Sequence, residues 1–152
     1  MNDARLIVDP STILLRTSAP ARGDIALEVR GVVFPAAGWN DFVVVILEAW
    51  LTALVRLMRH ASDAERVHFM DGPYAVDMTR LATGAIQVRA LDRPDCVRSV
   101  ADVMPVALAE NAVAAAEGVA AYCRAQGHRS TDFDRLETAL VVLRGELVNL
   151  TH

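Results

Sequence analysis

The stretch from Gly31 to Met58, GVVFPAAGWNDFVVVILEAWLTALVRLM, constrains the fold more than any other part of the chain. Pro35 ends an extended run because it brings no ladder donor. Asn40 then offers a short side-chain oxygen to cap a helix, and Asp41 follows where the helix dipole favours negative charge. Trp39, just before that cap, is placed to pack back on Val44 as a hydrophobic staple. From Phe42 to Met58 the only polar residues are Glu48, Thr52 and Arg56. At about 100° per residue they fall with Asp41 and Arg59 in one narrow stripe, so the rest of the cylinder needs cover. A membrane span is the rival reading, but it needs roughly 20 nearly uninterrupted apolar residues, and Glu48 and Arg56 interrupt a shorter run. A central helix clamped between a sheet and other helices is the expectation.

Around that helix the chain reads as strands first and helices last. Arg5 to Val8 and Thr12 to Leu15 predict two short strands separated by a turn at Asp9-Pro10. Asp24 to Phe34 alternates, with Ile25, Leu27 and Val29 on one face and Ala26, Glu28 and Arg30 on the other, and Gly31 suggests a bulge within it. After the helix, Glu65 to Met70, Tyr74 to Thr79 and Ala85 to Leu91 predict a meander. Cys96 to Val100 reads either as a further strand or as the first turn of the next helix. Pro105 suits a first helical position, and Gly127 suits the residue just past the end of a helix running to Gln126. Thr131 and Asp134 resemble a capping box, followed by Phe133, Leu136, Leu140, Leu143, Leu147 and Leu150 at steps of three and four. The fold class is therefore α+β: a mainly antiparallel sheet, one central long apolar helix and a C-terminal helical hairpin, as a single domain over residues 1–152. Trp39, Phe42, Trp50, Leu54, Phe69, Leu136, Leu140 and Leu143 are the expected core.

Length and charge narrow the function classes. At 152 residues a chain buries about two-thirds of its unfolded surface and needs no staple. Cys96 and Cys123 lack CxxC spacing and are expected as reduced thiols. MNDARLIVDP is too polar for a signal peptide, so a cytoplasmic location is expected. The net charge of −4 disfavours nucleic acid, which needs a clustered positive face. His60, His68, His128 and His152 lack metal-ligand spacing, the glycines form no phosphate cradle, and no nucleophile elbow occurs. No catalytic residue, cofactor or metal is expected. Asp71 and Asp77 are the acids most easily imagined as a pair. The sequence Met70-Asp71-Gly72-Pro73-Tyr74 is the least ordinary local chemistry: Asp-Gly signals a tight hairpin, yet Pro73 has no N–H with which to close one. Gly72 supplying a positive φ and Pro73 stiffening the next strand explain the motif structurally, while presentation of Asp71 and Tyr74 to a partner explains it functionally.

The segments Phe34-Pro35, Trp39-Asn40-Asp41-Phe42 and Phe69-Met70-Asp71-Gly72-Pro73-Tyr74, with two helices to follow, resemble small bacterial immunity proteins of polymorphic toxin or contact-dependent inhibition systems. The likeness spans Gly31 to Tyr74 and is one of layout beyond. It implies a non-enzymatic cytosolic binder whose protein partner is a cognate toxin domain, often a nuclease; the net charge and the charges within the central helix leave no nucleic acid or membrane as an expected partner. Glu28, Asp71 and Tyr74 are the expected partner-binding residues. Two other readings stand beside it: a small-ligand or enzymatic protein using a cleft near Asp71 and Tyr74, and a structural homo-oligomer, such as a homodimer, joined through apolar helix faces.

Overall fold

The computed structural model describes residues 3–151, and it is α+β, with two antiparallel sheets rather than one. The first sheet is built from β1 (Ala4–Leu14), β2 (Arg22–Val29), β3 (Val32–Phe34) and β4 (Asn40–Asp41). Residues read as two strands around Asp9-Pro10 form one strand, β1, because side chains replace the ladder where it breaks. The Asp9 carboxylate accepts the backbone N–H of Ser11 at 3.0 Å, and Thr12 Oγ1 accepts that of Asp24 at 2.8 Å. Pro10 is tolerated there because this part of the edge strand carries no regular pairing.

The run Asp24 to Phe34 is a hairpin, not a single bulged strand. Val29 pairs with Val32, and Arg30 (φ 51°) and Gly31 (φ 83°) both take the left-handed conformation of a two-residue turn. The chain then leaves β3 through Pro35 and returns to β2 as β4, pairing Asp41 with Gly23 and Asn40 with Asp24. Asn40 is thus a strand residue, and the helix that follows, α1 (Val43–Met58), starts after Phe42 with no side-chain cap. The cap expected of Asn40 is lost because its side chain serves Arg22 instead.

Helix α1 buries Val43, Val44, Ile46, Leu47, Trp50, Leu51, Ala53, Leu54, Val55, Leu57 and Met58. Thr52 and Arg56 face outward and Glu48 is half-buried, as the stripe predicts. At ~1.5–3 kcal/mol for each large side chain, this helix is the largest single contributor to the core. It packs on β2, on the first strand of the second sheet and on both later helices.

The second sheet is a meander of β5 (Ala64–His68), β6 (Ala75–Arg80), β7 (Ile86–Arg93) and β8 (Cys96–Val103). The segment Cys96 to Val100 is therefore strand. Val67, Val76, Met78, Val88, Ala90, Ala101 and Val103 line its inward face and are buried. Helix α2 (Pro105–Ala125) begins at Pro105, and Gly127 follows it at φ 67°. Helix α3 (Thr131–Thr151) is capped one residue earlier than expected, because Ser130 Oγ accepts the Phe133 N–H at 3.0 Å. Among the described residues, no helix is long and apolar enough to cross a membrane.

Candidate functional site

The motif residues converge where the two sheets meet, and a buried carboxylate organises them. Asp41 is wholly inaccessible. Its Oδ2 accepts the Trp39 indole N–H at 3.0 Å, the Met70 N–H at 3.1 Å and the Asp71 N–H at 3.2 Å, while Oδ1 accepts the Phe42 N–H at 2.7 Å. Sequence logic placed Asp41 at a helix dipole; it is instead the acceptor that fastens the loop after β5 to the strand before α1. A buried carboxylate is stable only when donors answer both oxygens, and four do so here.

That fastening shapes the loop of residues 69–74. The Phe69 N–H reaches the Tyr74 carbonyl at 3.1 Å, which closes the loop without calling on Pro73 for a donor. Gly72 takes φ +77°, and a Cβ there would meet Tyr74 Cε2 at 2.9 Å, so the turn requires glycine on two counts. Asp71 Oδ2 pairs with Arg22 Nη2 at 2.5 Å. Arg22 also donates to both oxygens of Asn40 and lies 4.6 Å over the Phe42 ring. The Tyr74 ring stands edge-on to Phe34 at 5.6 Å and to Trp39 at 5.3 Å, and Phe34 meets Phe69 at 5.7 Å. Trp39 is half-buried, its ring contact being Tyr74. Arg98 of β8 closes the cluster, donating to the Pro35 carbonyl at 2.7 Å and lying 4.9 Å over Phe34.

Of the three expected contact residues, the fold brings two together. Asp71 and Tyr74 share this loop, whereas Glu28 sits toward the other end of β2 from Arg22, about 20 Å away by strand rise, and pairs with Arg5 at 3.1 Å. The imagined acid pair does not form. Asp77 accepts both Nε and Nη2 of Arg66, at 2.6 and 2.8 Å, and that partner holds its carboxyl below the usual range. Both cysteines are free, and burial pushes the Cys123 thiol up. Among the described residues, no group of three or more His, Cys, Asp or Glu is arranged to hold a metal ion.

Arg22 and Arg98 escaped the sequence reading, since nothing local marks an arginine that will pair across sheets. What the cluster leaves outward is Met70, 43% exposed, with Gly72, Pro73 and part of Asp71. The chemistry on offer is rigid presentation of an apolar and acidic loop. No protein-family model matches the chain, and neither a curated protein nor a solved structure matches it.

Proposed function

We propose that this chain is a non-enzymatic protein that acts in the cytoplasm, binding and neutralising a cognate toxin domain, with the loop 70–73 at the centre of the contact. The observation that carries the reading is the fastening of that loop: the Asp41 carboxylate and Arg22 hold its backbone and its acid from behind, while Met70 and Pro73 face outward. A loop already fixed in one conformation loses little freedom on binding, which favours affinity, and an exposed methionine adapts to an apolar partner surface. The net charge of −4 suits a basic partner, as a nuclease domain is where it grips phosphate.

The test is co-expression with the C-terminal domain of a secreted protein encoded beside this gene, scoring protection from growth arrest. Met70→Arg and Pro73→Arg should abolish protection and weaken affinity about a hundredfold, on the scale of one or two contact hot spots, with an unchanged melting temperature. Glu28→Ala reports whether the outer face of β2 also belongs to the contact. Failure of the parent protein to protect or bind overturns the reading; retained protection in both loop variants moves the contact elsewhere.

A further inference from the structure

We infer that the cavity where the helix ends meet the β6–β7 hairpin binds a small monocarboxylate with an apolar body, its charge held by Arg80. Arg80 ends β6 opposite Ile86 and, by strand alternation, shares the inward face with Val76 and Met78. Its side chain is only 16% exposed, and Nε and Nη2 are buried with no hydrogen-bond partner among the described residues. Among the described residues the nearest carboxylate oxygen belongs to Asp63, 3.9 Å from Nε, on a side chain that is 90% exposed. That is too long for a hydrogen bond and leaves Asp63 mostly in water. Nη1, the guanidinium nitrogen not among those buried atoms, is the one open to the cavity that Arg80 lines, and through it an incoming anion balances a charge drawn out of water.

The surroundings define the anion. The cavity measures about 540 Å³, in the range of small-molecule sites, and Met58, Leu81, Met104, Val106 and Leu150 wall it with His60 at the side. The positive end of α2 opens here: Pro105 occupies the first turn and no side chain caps it. One guanidinium, reached through Nη1, and one helix end balance a single negative charge, with one carboxylate oxygen toward each. The apolar wall disfavours a hydrated phosphate or sulfate, which would have to shed water against methyl and methylene groups.

The inference stands apart from the toxin-binding reading, since no residue of loop 70–73 lines this cavity. Octanoate, octanol and sulfate are titrated into the full chain by calorimetry, with amide shifts followed by NMR. Octanoate should bind one to one and move the amides of Leu81, Gly84 and Val106, while octanol and sulfate bind about tenfold more weakly or not at all. Arg80→Met keeps the aliphatic stem but removes the charge, and Val106→Trp fills the cavity with Arg80 in place; each should lose about tenfold or more in octanoate affinity. If Arg80→Met fails to fold, Val106→Trp decides alone. Absence of octanoate binding, equal binding of octanol or sulfate, or undiminished octanoate binding by a folded variant overturns the site.

Discussion

Oδ2 of Asp41 accepts the backbone N–H of Met70 at 3.1 Å, across 29 residues of sequence. That bond joins the strand leading into α1 to the loop that follows the first strand of the other sheet. The same oxygen takes the Trp39 indole, whose ring leans on Tyr74 at the far end of the loop. Entry to the central helix and the shape of the candidate contact loop are therefore set by one carboxylate.

Asp41→Ala would leave an indole N–H and three backbone N–H groups buried without an acceptor. The expected loss is ~3–5 kcal/mol of unfolding free energy, measured by urea denaturation. Asp41→Asn should lose less, ~1–2 kcal/mol, because its carbonyl can serve the three donors at Oδ2 while its amide faces the Phe42 N–H. A loss below ~1 kcal/mol in the alanine variant would show that water satisfies these donors and that the carboxylate is not the fastening.

Glycine substitutions separate backbone strain from contact with the Tyr74 ring. Gly31 and Gly72 both sit at positive φ, but a Cβ at Gly31 meets nothing within 4 Å, whereas one at Gly72 meets the Tyr74 ring. Gly31→Ala should cost ~1 kcal/mol from conformation alone. Gly72→Ala should cost ~1–3 kcal/mol beyond that by forcing the ring from its packing. Equal costs at the two sites would mean that the loop gives way freely, contrary to the rigid presentation proposed above.

What could be read from the sequence follows the range of the forces involved. The polar stripe of α1 and the leucine rhythm of α3 are periodic, so their inward faces could be placed before any partner was known. Trp50, Leu54, Phe69, Leu136, Leu140 and Leu143 are buried as expected, while Trp39 and Phe42 are only half-buried because each lends a ring face or edge to the seam between the sheets. Arg30-Gly31 was legible as an irregularity but not as a hairpin, since arginine is an uncommon first residue for such a turn. Asp41 misled for a different reason. Capping rules treat a helix in isolation, and the donors that bind this carboxylate arrive from residues far along the chain.

The Arg66–Asp77 pair gives a pH prediction whose sign can be worked out. The hydrogen bonds from Arg66 chiefly lower the Asp77 carboxyl from its ordinary 3.8, with the charges of Arg66, Arg89 and His68 assisting and burial opposing. A group whose folded value is depressed stabilises the fold above the unfolded value and loses that contribution as pH falls through the folded one. Arg66→Met should therefore be less stable than the parent by up to ~1 kcal/mol near neutral pH, since the pair is partly screened by solvent. The gap should hold down to about pH 5 and close below about pH 4. Denaturation at a series of pH values checks it, and a gap that widens on acidification would contradict the assignment.

Asn111 of α2 makes both of its side-chain bonds to one residue of the edge strand. Its Oδ1 accepts the Leu6 N–H at 2.6 Å and its Nδ2 donates to the Leu6 carbonyl at 3.3 Å. Because among the described residues β1 pairs with β2 alone, those backbone groups lie on the open side of the sheet, where an unpaired row templates association with other chains. Asn111→Ala should cost ~1–3 kcal/mol by leaving the part-buried Leu6 N–H and carbonyl unanswered. It should also speed aggregation from partly unfolded samples, since the freed edge can accept a foreign strand. Asn111→Asp keeps the acceptor for the N–H but sets a carboxylate oxygen against the Leu6 carbonyl, so it should be no more stable than the alanine variant. Light scattering during mild heating, alongside urea denaturation, measures both effects; an alanine variant as stable and as soluble as the parent would show that helix packing alone shields the strand.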